Sequence, residues 1–372
     1  MKSENLEKII TLRHELHCHP ELSQRETNTI RMLKDFLHEH TSFAIIDHDG
    51  WFYALKQGAS HQAPIAFRAD MDALPIEEGL DLPYASVNVG TAHKCGHDGH
   101  MAALCGLALE LDPIPLERTV YLIFQPAEEI GQGGNICAQL IREKGISEIY
   151  AFHNWSGIPE NVIAYRRGLT QPASEGLTIR LHGKTSHASE PENGLNPSTA
   201  IAALAFYAKN MVFDPQDGLV LCTIVGMRSG TDDFGIAAGD GYICFTLRAE
   251  KETVMKQMEK NLLDYAASLA EQDGFQCESE IRDYFPETVN DDTAVDRVIK
   301  AAESLGLDVI ALKEMQRGSE DFGYYLKECP GAIFYIGNGD NYPAIHTTPF
   351  DFNDNILETA ADMFMALYQT KT

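Results

Sequence analysis

The sequence predicts an α/β fold: a mostly parallel sheet forms one domain, and a smaller ferredoxin-like α+β domain is inserted into it. Three observations predict this. Short apolar runs alternate with helical stretches at both ends of the chain, as expected of strands buried on both faces. Between residues 171 and 284 the order becomes β-α-β-β-α-β, the split unit of ferredoxin-like folds. A chain of 372 residues also exceeds one ordinary core.

Residues 4–40 carry Leu6, Ile9, Ile10, Leu12 and Leu16, then Ile30, Leu33 and Leu37, at helical spacing. The stretch HPELSQRE (19–26) breaks that period, so two helices joined by a loop are expected. Apolar runs of strand length follow at 43–46, 51–55, 65–67, 119–124 and 148–152. A small-residue helix is expected over 99–111, and another ends over 139–144. In the insert, strands fall at 177–181, 219–225, 242–248 and 276–281, with helices over 197–211 and 252–270. The α/β rhythm then returns with helices at 294–305, 321–326 and 355–368 and a strand at 332–336. The expected division is therefore 1–170 with 285–372, and 171–284 between them.

Composition excludes several classes. Twenty-nine Lys and Arg stand against 55 Asp and Glu, a net charge of −26. That balance argues against a nucleic-acid partner or a basic membrane-surface protein. No stretch approaches the roughly 18 apolar residues of a membrane span. The N-terminal MKSENLEKIITLRHEL lacks a signal-peptide core. Eight cysteines are sparse and irregularly spaced, unlike a secreted disulfide scaffold. A soluble, cytoplasmic protein is expected.

Three apolar runs lead straight into polar groups: 65–67 into Asp70 and Asp72, 119–124 into Glu128 and Glu129, and 148–152 into His153. Ligands of open parallel sheets bind beyond the carboxyl ends of strands, so these groups are placed to converge. HKCGHDGH adds His93, Cys95, His97, Asp98 and His100 just before a helix, with glycines that relieve crowding. A thiolate with imidazole suits zinc, manganese, nickel or cobalt. The four closed ligands of a structural zinc site are missing. Of the two adjacent carboxylates Glu128 and Glu129, one can hold an ion while the other takes a proton from water. Adding His153 and His346 to Cys95, His97 and Glu129 gives five donors, enough for two divalent ions.

The chain resembles the aminoacylase, hippurate hydrolase and indole-acetyl-amino-acid hydrolase family of dinuclear metal amidohydrolases. Eight motifs in order carry the resemblance: RHELHCHPELSQRET (13–27), RADMDALP (68–75), HKCGHDGHMAAL (93–104), FQPAEE (124–129), FHNW (152–155), GKTSHASEPENGLNP (183–197), GSEDF (318–322) and HTTPFDFND (346–354). It implies Cys95, His97, Glu129, His153 and His346 as metal ligands and Glu128 as general base. It implies that the insert is a lid and dimerisation domain of a homodimer. It further implies that His187 reaches the partner subunit's site to hold the oxyanion, and that Arg248 meets the substrate carboxylate. One departure stands out. Gly235 occupies the place of an expected Asn in G-x-x-x-N-x-I-P-D, and the Pro is absent, so substrate preference is expected to differ. Asp70, Asp72, Asp98 and His100 are candidate partners of the ligands.

The implied reaction is hydrolysis of N-acyl-L-amino acids. The alternatives are a dipeptidase or carboxypeptidase on the same scaffold, or a non-catalytic binder of amino-acid conjugates.

Overall fold

The computed structural model of the chain describes residues 1–370. It runs α1 (Ser3–Cys18), α2 (Thr27–His40), β1 (Ala44–His48), β2 (Trp51–Lys56), β3 (Ile65–Asp70), α3 (His97–Leu111), β4 (Val120–Gln125), α4 (Gly133–Cys137), α5 (Gln139–Lys144) and β5 (Glu148–Ser156). Next come β6 (Ile163–Tyr165), β7 (Gly168–Gln171), β8 (Ala173–His182), β9 (Ser186–His187), α6 (Ser198–Lys209), β10 (Val220–Ser229), β11 (Ile236–Ala237), β12 (Asp240–Ala249), α7 (Glu252–Asp273) and β13 (Gln276–Phe285). The chain closes with β14 (Thr288–Asn290), α8 (Asp292–Ser304), β15 (Val309–Ala311), α9 (Gly323–Leu326), β16 (Gly331–Gly339) and α10 (Leu357–Gln369). The chain divides into two compact units. The first holds Met1–Thr170, Thr288–Met315 and the chain from Glu320 onward; the second holds Gln171–Glu287 with Gln316–Ser319.

The first unit is built on an eight-stranded sheet, in the order β1-β2-β4-β3-β5-β16-β6-β15. Its centre is parallel: β3 pairs with β4 and β5, and β5 with β16. Antiparallel pairs flank that centre, β1 with β2, β2 with β4, and β16 with β6. Strands β3 and β4 are buried along their whole length, which explains their unbroken apolar runs. Helix α3 is buried on nearly every side, with Ala102, Ala103, Cys105, Gly106 and Ala108 allowing close packing against its neighbours. The core joins Phe67, Phe124, Phe152, Phe334 and Phe364, and the Phe52 and Phe124 rings stack at 4.6 Å. Sequence patterning did not mark β6 and β15, because three residues establish no period.

The second unit follows β8-α6-β10-β12-α7-β13, and its sheet order is β10-β12-β8-β13 with every pairing antiparallel. Alternate residues of β8 and β12, among them Leu177, Ile179, Leu181, Ile243, Phe245 and Leu247, bury one face. That face packs with Leu204 of α6 and with Met255, Met258 and Leu262 of α7 in one core. The segment 316–319 joins this unit, where Arg248 donates to the Arg317 carbonyl at 2.6 Å and to Ser319 Oγ at 2.7 Å. Among the described residues, no helix is long and apolar enough to cross a membrane. All eight cysteines are free thiols.

Candidate active site

The carboxyl ends of the parallel strands carry the polar groups. Asp70 ends β3 and Glu128 and Glu129 follow β4. His153 lies in β5, and His346 sits in the loop beyond β16. Cys95 and His97 enter at the start of α3 through Gly96, whose φ is +99°. A Cβ on Gly96 would lie 2.3 Å from Asn154 Oδ1, so both its conformation and its contact require glycine.

Five segments thus converge. Cys95 Sγ lies 3.5 Å from His153 Nε2 and 3.3 Å from His346 Nε2. Glu129 Oε1 lies 3.8 Å from His97 Nε2 and 3.5 Å from His346 Nε2. The donor atoms of Cys95, His97 and His153 all lie within 4.8 Å of one another, as do those of Cys95, Glu129 and His346, and those of His97, Glu128 and Glu129.

Hydrogen bonds orient the two buried imidazoles. His97 Nδ1 donates to the Asp72 carbonyl at 2.9 Å, and His153 Nδ1 donates to the Asn154 carbonyl at 2.7 Å. Each ring therefore turns Nε2 toward the cluster. His97 Nε2 and Glu129 Oε1 are buried with no hydrogen-bond partner. A buried polar atom without a partner costs free energy, and two that face each other fit a shared cation.

The electrostatics agree. Burial alone would pull His97 down, but Asp70, Asp72 and Glu129 hold it at about 10. Burial, then Glu129 and Glu128, push the Cys95 thiol well above its usual range. Burial, with Glu320 and Glu129 adding to it, lifts the Glu128 carboxyl well above the carboxylate range. Burial opposes ionisation of Asp70, yet His97, His100 and Arg68 bring it well below its usual value. Carboxylates crowd this pocket, and a bound cation would lower their mutual repulsion and favour the thiolate.

Supporting residues fix the Glu pair. Asp72 Oδ1 accepts the Glu128 N–H at 3.1 Å, and Oδ2 accepts the Glu129 N–H at 3.0 Å. Ala127, at φ +50°, donates its N–H to Glu26 Oε1 at 2.8 Å. His346, at φ +61°, is likewise left-handed; Ala127 and His346 are two of five such non-glycine residues among those described, the others being Gln24, Asn161 and Asp283. Such strain concentrates at functional sites. His100 spans Asp70 Oδ1 at 2.6 Å and Asn154 Oδ1 at 2.7 Å. Asp98 turns away from the cluster to His17 Nδ1, 2.8 Å distant, and to Arg13.

His187 and Arg248 belong to the second unit. His187 is exposed on β9, with Nδ1 2.6 Å from Ser189 Oγ. The Gly235 carbonyl accepts the N–H of Ala188, the residue after His187, at 3.0 Å.

Sequence reading missed a set of buried charges around the cluster. Arg68 binds Asp70 at 2.6 Å, Glu320 at 2.9 Å and Asp321 at 2.8 Å. A charge inside the apolar run IAFRAD was the available signal. Arg13 and His17 share the buried face of α1 with Ile9, Leu12 and Leu16, which was the signal there.

An α/β sheet with such groups at its strand ends is the frame of a hydrolase acting on amide bonds. More narrowly, residues 66–370 match Peptidase family M20/M25/M40, and the chain belongs to that family. It is 31% identical over 371 residues to the N-acetylcysteine deacetylase of Bacillus subtilis, covering 97% of this chain and 96% of that one. It is also 31% identical over 369 residues to thermostable carboxypeptidase 1 of Saccharolobus solfataricus, covering 95% and 92%. Among solved structures, the YxeP protein of Bacillus subtilis, a dinuclear metal binding peptidase of the M20 family, superposes with a TM-score of 0.80. It shares 28% identity, with 99% and 98% of the two chains covered.

Proposed function

We propose that the protein hydrolyses N-acyl-L-amino acids, with Cys95, His97, Glu129, His153 and His346 holding two divalent ions and Glu128 acting as general base. The observation that carries this reading is the convergence of five donors, two of whose atoms, His97 Nε2 and Glu129 Oε1, are buried without a hydrogen-bond partner. Zinc or manganese suits the mixed thiolate, imidazole and carboxylate set; nickel and cobalt are compatible. Bound there, such ions would polarise a scissile carbonyl and make a water acidic enough to attack near neutral pH.

The chain's own residues do the rest. Asp72 holds the Glu128 backbone so that the Glu128 carboxylate can take the water's proton and return it to the leaving amine nitrogen. His187 donates to the oxyanion, supplied across a homodimer, and Arg248 meets the substrate carboxylate. The second unit serves as lid and dimerisation domain. Dimerisation is supported by edge strand β10, where Leu221, Ile224, Val225 and Met227 are exposed large apolar residues, and by exposed Phe206 on α6. Eight free thiols support a cytoplasmic location.

The N-acetylcysteine deacetylase relative supports the acyl reading; the substrates proposed for this chain are acetyl and hippurate-like conjugates. The carboxypeptidase relative keeps a second reading open, cleavage of peptide bonds on the same site. A panel of N-acetyl, benzoyl and dipeptide substrates on metal-reconstituted protein, with released amine quantified, tests the choice. Fastest turnover on N-acyl amino acids is expected; turnover confined to dipeptides overturns the proposal in favour of the second reading.

A further inference from the structure

We infer that Lys94, with Glu78 behind it, is a positioning residue that holds the His346 segment against the Cys95–His97 loop. The inference rests on the proposed role of His346 as a metal ligand. Lys94 is fully buried and immediately precedes Cys95. Its carbonyl accepts the His346 N–H at 2.7 Å. Its Nζ donates to the Phe350 carbonyl at 2.8 Å and to Glu78 Oε1 at 2.5 Å. One residue therefore grips both ends of the segment 346–350, by its backbone at one end and its ammonium at the other. Glu78 is fixed in turn, with Oε2 2.8 Å from His17 Nε2 and Oε1 accepting the Leu80 N–H at 3.1 Å.

The segment needs such a grip. His346 lies at φ +61°, a conformation that a side-chain-bearing residue rarely adopts and that persists only where the surroundings over-determine it. Its side chain is 49% exposed, so packing around the ring does not set its direction. The backbone must aim Nε2 between Cys95 Sγ and Glu129 Oε1, 3.3 and 3.5 Å away. A buried ammonium is a costly way to fill a core, and an apolar residue of similar volume would commonly stabilise as well. A lysine whose ammonium instead joins a backbone carbonyl to a carboxylate, while its own carbonyl accepts the His346 N–H, is suited to holding a loop.

The test is a metal-affinity cycle using Zn²⁺ in competition with a chromophoric chelator. It compares the unmodified chain, Lys94→Met, His346→Ala and the double variant, with circular dichroism confirming that each is folded. Lys94→Met is expected to weaken binding of the zinc ion held by His346 about 10–100-fold, the size found when a ligand's outer partner is removed. In the His346→Ala background the same change is expected to add less than about threefold, because the ligand it positions is already gone. An equal loss in both backgrounds, or no loss in Lys94→Met, overturns the positioning role. Unchanged affinity in His346→Ala alone removes the ligand assignment, and this inference falls with it. If Lys94→Met does not fold, Lys94→Met with Glu78→Gln, which strands no carboxylate, takes its place. Failure of both to fold overturns the inference in favour of a purely stabilising lysine.

Discussion

Replacing Glu128 by Gln separates catalysis from stability, because the two should move in different directions. The side chain is buried, and burial with the nearby Glu320 and Glu129 disfavours its ionised form. Gln keeps the volume and leaves the Glu128 backbone N–H on Asp72 Oδ1 at 3.1 Å. It also removes a carboxyl whose ionisation the fold opposes. The urea midpoint is therefore expected to stay or rise. Turnover is expected to fall about 10²–10⁴-fold, the usual worth of a general base, or roughly 2.7–5.4 kcal/mol of activation free energy. Amine release from an N-acetyl amino acid measures the rate, and circular dichroism in urea measures stability on the same preparation. Undiminished kcat refutes the assignment of the base. A drop in both quantities refutes the argument that this carboxylate is held at a cost to the fold.

Four further outcomes follow from other groups. Arg68→Met strands Asp70, Glu320 and Asp321 in the core and should cost about 3–5 kcal/mol in urea unfolding; a loss near zero would show that these carboxylates bury themselves in neutral form. Burial opposes the charge on His17, yet Asp98 and Glu78 raise it from 6.5 to about 9, so its stabilisation is full below 6.5 and fades as pH rises through 9. His17→Gln should flatten thermal stability against pH across that window, and an unchanged slope would count against a protonated His17. Mixing His187→Ala with Glu128→Gln chains should restore about a quarter of normal turnover in a statistical mixture of dimers, one site per heterodimer being intact; no recovery in verified heterodimers excludes catalysis in trans. Chelation should lower the melting temperature, and zinc at about 100 times its Kd should restore roughly 2.7 kcal/mol; a melting temperature indifferent to both would argue against a cation at this cluster.

Much of the site was legible because its chemistry is local. HKCGHDGH and the Glu pair place several donors within a few residues, and apolar runs before them mark strand ends. The orientation of the donors was not legible. His97 and Asp98 are neighbours in sequence, but their partners diverge: His97 donates to the carbonyl of Asp72, and Asp98 meets His17 on α1. Spacing along one helix cannot predict which residue of a distant element arrives opposite. The same holds for 316–319, which joins the second unit although the residues on either side of it belong to the first. Elements of three residues, β6 and β15, escaped for a different reason: they are defined by their pairing and carry no periodic pattern of their own.

The surplus of buried acid around the cluster links these strands of argument. Asp70, Asp72, Glu128, Glu320 and Asp321 are all buried, and Arg68 is the arginine that reaches three of them. A fold selected for stability alone would replace such a group with apolar residues. Here the acids are instead held apart by backbone N–H groups: Asp72 on Glu128 and Glu129, Asp321 on Gly134 at 2.7 Å, and Glu320 on Phe322 at 3.0 Å. Backbone donors fix carboxylate direction without neutralising net charge. The result is an acid-rich pocket at the carboxyl ends of parallel strands, in which a bound cation would favour the ionised carboxylates. The strain at Ala127 and His346 belongs to the same arrangement, since each lies where a donor has to be turned inward against the ordinary preference of its backbone.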